Sequence, residues 1–138
     1  MQGQFVLIIS RDRTVQKVVK ECLSANGIPA KTCITIRDPH TEIHEFHPLR
    51  PRLVILDDGI GQTVGIELIR LLHRRTPETL IIYLATHHTF VLERSVRQLG
   101  VLYYAEKPLD AAVLRRLTKA AMFSDHLKRH QPSITKLV

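Results

Sequence analysis

Residues 53–59 read LVILDDG. Four apolar side chains run straight into two carboxylates, Asp57 and Asp58, and a glycine. An unbroken apolar run this short is the pattern of a strand covered on both faces. The charge therefore falls at the strand's end, where a sheet opens to solvent. Similar runs recur on either side: FVLII (5–9), LIIYLA (80–85) and VLYYA (101–105), with a weaker strand expected around 29–34. Between them the apolar spacing becomes helical. Val15, Val18, Val19, Cys22 and Leu23 recur at i, i+3, i+4, i+7 and i+8. Ile66, Leu68, Ile69, Leu71 and Leu72 mark a further helix, Leu92, Val96 and Leu99 another, and Val113, Leu114, Leu117 and Ala121 a last one. With a short helix from Asp38 to about His47, the order is βαβαβαβαβα. Such alternation implies an α/β fold with a parallel sheet, helices on both faces and right-handed crossovers.

Local chemistry predicts the element ends. Asn26-Gly27 closes the first helix, with Gly27 as a left-handed cap. Asp38-Pro39 reads as an N-cap followed by proline at the first helical position. Thr76-Pro77 stops the third helix, because the residue before proline disfavours helix. Gly100 closes the fourth, and Asp110 caps the fifth. Residues 124–138 lose the periodicity and read as a basic tail or linker after a domain spanning 1–123.

The chain has 138 residues, enough for one domain with a real core. No apolar run approaches the roughly 20 residues of a membrane span. The start, MQGQFVLIIS, lacks the basic region of a signal peptide. A cytoplasmic location is expected. Cys22 and Cys33 are too few for a disulfide framework and read as free thiols, Cys22 on an apolar helix face. His40, His44 and His47 would share a helix face, a spacing able to bind a transition metal. With no cysteine or required carboxylate beside them, they read as surface histidines. His87 and His88 follow the LIIYLA run with no evident partner. No Ser-His-Asp order or phosphate-binding glycine loop stands out, so independent enzyme activity is not expected.

In such a sheet the functional crevice lies at the carboxyl ends of the strands. Those ends carry Ser10-Arg11-Asp12, Asp57-Asp58-Gly59, Ala85-Thr86-His87-His88 and Glu106-Lys107-Pro108. Asp57 after the apolar run, Gly65 eight residues on, Tyr104, and Lys107-Pro108 three residues after it make a combined pattern. Over residues 5–123 it resembles the receiver domain of two-component response regulators. The resemblance implies a three-layer, doubly wound (βα)5 sandwich of flavodoxin-like, CheY-like kind, with sheet order 2-1-3-4-5. It also implies that Asp57 stands where a histidine kinase's phosphoryl group is accepted. Mg²⁺ would bridge carboxylate and phosphoryl oxygens, held in part by an acidic pair after the first strand. Lys107 would neutralise a phosphoryl oxygen, a hydroxyl ending the fourth strand would bond it, and Tyr104 would be the switch aromatic.

The sequence departs from that pattern. The acidic-pair positions hold Ser10 and Arg11, with Asp12 one residue late. The hydroxyl position is Ala85, and strand alternation points the next residue, Thr86, to the other face. Gly61 replaces the usual proline four residues after the acceptor. With Arg11 near Asp57 and Lys107, the site would carry net +1 and repel Mg²⁺. Arg11 or Lys107 is expected to pair with Asp57, with Mg²⁺ binding weak or absent and no other cofactor or metal. Asp58 is expected in a solvated loop, aimed away from the site.

The net charge is +7, and residues 70–138 hold all the excess, with twelve Lys/Arg against five Asp/Glu. Arg94 and Arg97 would lie opposite the apolar face of the fourth helix. Arg115, Arg116 and Lys119 would lie on the outer face of the fifth, flanking the Tyr103-Tyr104 strand. The resemblance makes this helix–strand–helix surface a docking or homodimer face. The expected function is a pseudo-receiver acting in signal transduction by protein–protein interaction, with a sensor kinase or another signalling protein as partner. The alternatives are a working phospho-acceptor at Asp57, and a nucleic-acid or polyanion-binding module built on the basic half.

Overall fold

The computed structural model describes residues 4–33 and 38–123. The expected strand residues at 34 and the tail at 124–138 lie outside them, as do the side chains of Cys33 and His47. Five strands, β1 (Val6–Ile9), β2 (Ala30–Cys33), β3 (Leu53–Asp57), β4 (Leu80–Ala85) and β5 (Tyr103–Glu106), form one parallel sheet in the order β2-β1-β3-β4-β5. Five helices alternate with them: α1 (Arg13–Ala25), α2 (Pro39–Leu49), α3 (Gln62–Arg75), α4 (Phe90–Leu99) and α5 (Ala111–Phe123). The apolar runs imply the parallel α/β sheet, and the strand order is the one that the receiver resemblance implies.

Strand alternation divides the core into two layers. Val6, Ile8, Leu53, Ile55, Leu80, Ile82 and Leu84 pack with α1 and α5. Leu7, Ile9, Val54, Leu56, Ile81 and Tyr83 pack with α3, α4 and Ile43 of α2. Both faces are covered, which is why these strands carry no polar alternation. Cys22 is 2% exposed in the first layer, and burial pushes its thiol pKa up.

The expected caps form. Asp38 accepts from the His40 amide and the Thr41 hydroxyl at the start of α2. The Thr76 amide closes α3 on the Leu72 carbonyl, Gly100 ends α4 in the left-handed region, and Asp110 caps α5. A single 3₁₀ turn at Asp58–Ile60 was not expected, since three residues are too few to show a period. It ends on Gly61 at φ +130°, a conformation that favours glycine and that proline's fixed φ excludes. Proline could not stand at this position without a change of the backbone here.

Candidate functional site

Asp57 ends β3 beside Leu84 of β4, one residue past the Leu56–Ile9 pairing with β1, and its side chain is 1% exposed. A buried carboxylate needs partners, and it has four. Oδ2 accepts from the Ser10 hydroxyl at 2.6 Å. Oδ1 lies 2.8 Å from the Lys107 ammonium, and also accepts from the Gly59 amide at 2.9 Å and the Thr86 hydroxyl at 3.3 Å. Ser10 is wholly buried just past β1, so its short hydroxyl has the carboxylate as a ready acceptor. Lys107 follows β5 and crosses to the centre of the sheet. The expected Lys107–Asp57 pair is present. Arg11 is exposed and forms no ion pair among the described residues, so it does not set the charge of the site.

The expected net charge and the expectations for two neighbouring residues are corrected. Asp12 turns one oxygen inward: Oδ2 lies 3.5 Å from Lys107, while Oδ1 caps α1 through the Thr14 and Val15 amides. The Val15 amide, against some desolvation and helped by Thr14 and Lys107, holds the Asp12 carboxyl below the ordinary carboxylate range. Two carboxylates and one ammonium give the pocket net −1 rather than +1. Thr86 does reach Asp57, because β4 ends at Ala85 and the alternation that would point it away stops there. Asp58 is not solvated. It is 6% exposed, accepting from the Tyr83 hydroxyl at 2.7 Å and from the Thr86 amide at 2.8 Å. It lies in the 3₁₀ turn, where a strand's period of two no longer applies.

Sequence reasoning missed Tyr83. Its side chain is fully buried in the middle of β4, and burial first, then the Asp58 hydrogen bond, pushes its phenol far above the ordinary range. The signal was available: one hydroxyl in an otherwise apolar run demands a buried partner. Tyr83 stacks on Tyr104, with centroids 5.7 Å apart and planes 7° from parallel. Tyr104 is 5% exposed, and desolvation pushes its phenol up to about 12. Its hydroxyl lies 2.9 Å from His88 Nδ1, so His88 has the partner that the sequence did not reveal. Gly65 packs in the first turn of α3 against Leu56 and Tyr83. Ala85, also buried, offers no polar atom on its side chain.

β5 is the sheet edge, with α4 packing on one face and α5 on the other. Arg94, Arg115, Arg116 and Lys119 are exposed, and Tyr103 is half-buried. Arg97 does not point away as expected. Its Nε lies 2.8 Å from Glu93, and its guanidinium sits 5.9 Å from the centroid of the Tyr104 ring. His40 pairs with Glu67 of α3 at 3.4 Å, and His44 is exposed. Among the described residues no helix is long and apolar enough to cross a membrane.

The family model for the response regulator receiver domain matches residues 6–119. The nitrogen assimilation regulatory protein NtrX of Azorhizobium caulinodans is 25% identical over 134 residues, which are 96% of this chain and 29% of that protein. The chain thus spans less than a third of that relative's length. The crystal structure of the NtrX receiver domain from Brucella abortus matches with a TM-score of 0.73 at 20% identity, covering 87% of this chain and 99% of that one. The solution structure of the beryllofluoride-activated NtrC4 receiver domain dimer matches with a TM-score of 0.74 at 18% identity, covering 85% and 94%.

Proposed function

The chain belongs to the response regulator receiver domain family, and on that premise we propose that it signals by protein–protein contact with its acceptor site closed to Mg²⁺-dependent phosphorylation. The observation that carries this reading is the set of hydrogen bonds around Asp57. Ser10 holds one carboxylate oxygen, while Lys107, Gly59 and Thr86 hold the other. Mg²⁺ requires near-octahedral oxygen ligands and gives up its waters reluctantly. Here it would have to displace a 2.6 Å charge-assisted hydrogen bond on Asp57 and compete with an ammonium 2.8 Å away. The Asp12 carboxylate offers one oxygen, since the other caps α1. The residues present fit the ion poorly. The docking face is the basic surface of Arg94, Arg115, Arg116 and Lys119 on α4 and α5, flanking β5. A sensor kinase, another signalling protein or a second copy of the domain would bind there.

A second reading has one specific support. Thr86 brings a hydroxyl to Asp57 Oδ1 and Asp12 brings a second carboxylate toward Lys107, so parts missing at Ala85 and Ser10 are supplied by neighbours. In that reading Asp57 accepts phosphoryl groups through an altered shell. Incubation with acetyl phosphate and millimolar Mg²⁺, followed by intact-protein mass measurement, separates the two. The closed-site reading expects no adduct. A stoichiometric adduct that disappears in Asp57→Asn establishes the second reading instead.

A further inference from the structure

His88 follows β4 in the loop before α4 and meets β5 at Tyr104 and Glu106. Its Nδ1 lies 2.9 Å from the Tyr104 hydroxyl. The charged groups facing it come from every neighbouring element. Glu93 of α4 places Oε1 3.9 Å from Nε2. Glu106 of β5 places Oε2 3.9 Å from Nδ1. Arg97 of α4 holds the other Glu93 oxygen and lies over the Tyr104 ring. Asp110, just before α5, lines the same groove, and His87 is the exposed neighbour in the loop. The groove has a volume of about 640 Å³, and His88, Tyr104, Phe90 and Leu117 are among its walls. Phe90, 83% exposed at its rim, meets the His88 ring edge-on at 5.5 Å.

We propose that His88 is a protonation-controlled latch on Tyr104, so that pH sets the shape and charge of this groove. In the neutral ring the latch takes the tautomer with its proton on Nε2, facing Glu93 Oε1, so that Nδ1 accepts the Tyr104 O–H. Protonation gives both ring nitrogens a hydrogen. Nδ1 then no longer accepts, and the imidazolium is drawn to Glu93 and Glu106. The Tyr104 hydroxyl can then only accept from Nδ1–H and must turn its own proton to another acceptor. Tyr104 leaves its stack on Tyr83, the groove wall opens beside Phe90, and its rim gains a positive charge. The proton moves between solvent and one ring nitrogen, and no other reactant is needed. The latch does not depend on the state of Asp57, so it stands or falls separately from the closed-site reading.

The test is side-chain NMR of the whole chain across the histidine titration range. Above the His88 transition, the Tyr104 hydroxyl proton is expected to be protected and its ring to show contacts with Tyr83. Below the transition, the hydroxyl should exchange rapidly and the ring contacts should fall, with the same midpoint as the His88 ring signals. In His88→Gln, whose amide accepts without titrating, both readouts should be flat. If Tyr104 keeps its hydroxyl protection and its Tyr83 contacts while His88 titrates, Nδ1 carries the proton in the neutral ring and the latch is wrong. A Tyr104 transition that persists in His88→Gln overturns it equally. The wild-type titration alone decides between these results if the variant does not fold.

Discussion

Ser10→Ala probes the shortest hydrogen bond to Asp57. Ser10 is wholly buried and Asp57 1% exposed, so bulk water does not replace the lost hydroxyl. The other three partners of Asp57 all address Oδ1. Oδ2 is therefore left without a donor among the described residues. A hydrogen bond to a charged group contributes about 1.5–3 kcal/mol, and about 2 kcal/mol is expected here. With a urea dependence of about 2 kcal/mol per M for a domain of this size, the unfolding midpoint should fall by about 1 M with an unchanged slope. The same substitution in an Asp57→Ala background should cost under about 0.5 kcal/mol, because the acceptor is already gone. The double-mutant cycle then yields a coupling of about 1.5 kcal/mol. Equilibrium urea unfolding followed by far-UV circular dichroism measures all four proteins. A midpoint change below about 0.3 M, or an equal loss in both backgrounds, would refute the idea that Ser10 holds the carboxylate.

Tyr83→Phe removes the donor to Asp58 Oδ2. It should destabilise by about 1.5–3 kcal/mol in the same urea assay, and a neutral result would mean that solvent satisfies Asp58. The Asp12 carboxyl is held below its ordinary value of 3.8, so its charged form stabilises the fold at higher pH. That contribution is present above the unfolded value and is lost as pH falls through the folded one. The stability gap between wild type and Asp12→Asn should therefore be constant at neutral pH and close below about pH 4; a gap that widens in acid contradicts the cap and Lys107 contacts. Tyr83 and Tyr104 are raised by burial, Tyr104 to about 12. Their contribution is complete below the unfolded value near 10 and is lost as pH rises toward the folded values. Stability should fall above about pH 10, and less steeply in Tyr83→Phe; equal slopes would show that Tyr83 is not protected.

The fold was legible because its signals are local and repeated. Apolar runs, Asp38-Pro39, Thr76-Pro77 and Gly100 each act within a few residues, and the two-layer core follows from strands buried on both faces. The Asp57–Lys107 pair was also legible, since both residues lie at strand ends in the resemblance pattern. What was not legible lies where regular structure stops. Thr86 and Asp58 were assigned by strand alternation, yet β4 ends at Ala85 and a 3₁₀ turn begins at Asp58. Asp12 divides its two oxygens between a helix cap and Lys107, and no spacing rule encodes that. Arg11 stands at an acidic-pair position in sequence, yet its side chain is exposed to solvent. His88 meets Tyr104 across the gap between the β4–α4 loop and β5, a contact fixed by the sheet rather than by sequence separation.

In the proposed closed site, Ser10 and Lys107 keep Asp57 occupied and shut to a metal-bound phosphoryl group. A titration with Mg²⁺ and beryllofluoride, watched at the backbone amides of Gly59 and Thr86, addresses it most directly, because both residues touch Asp57 Oδ1. A closed site gives no saturable change in either amide up to millimolar Mg²⁺ and beryllofluoride. Saturable shifts of both amides that vanish in Asp57→Asn would contradict it.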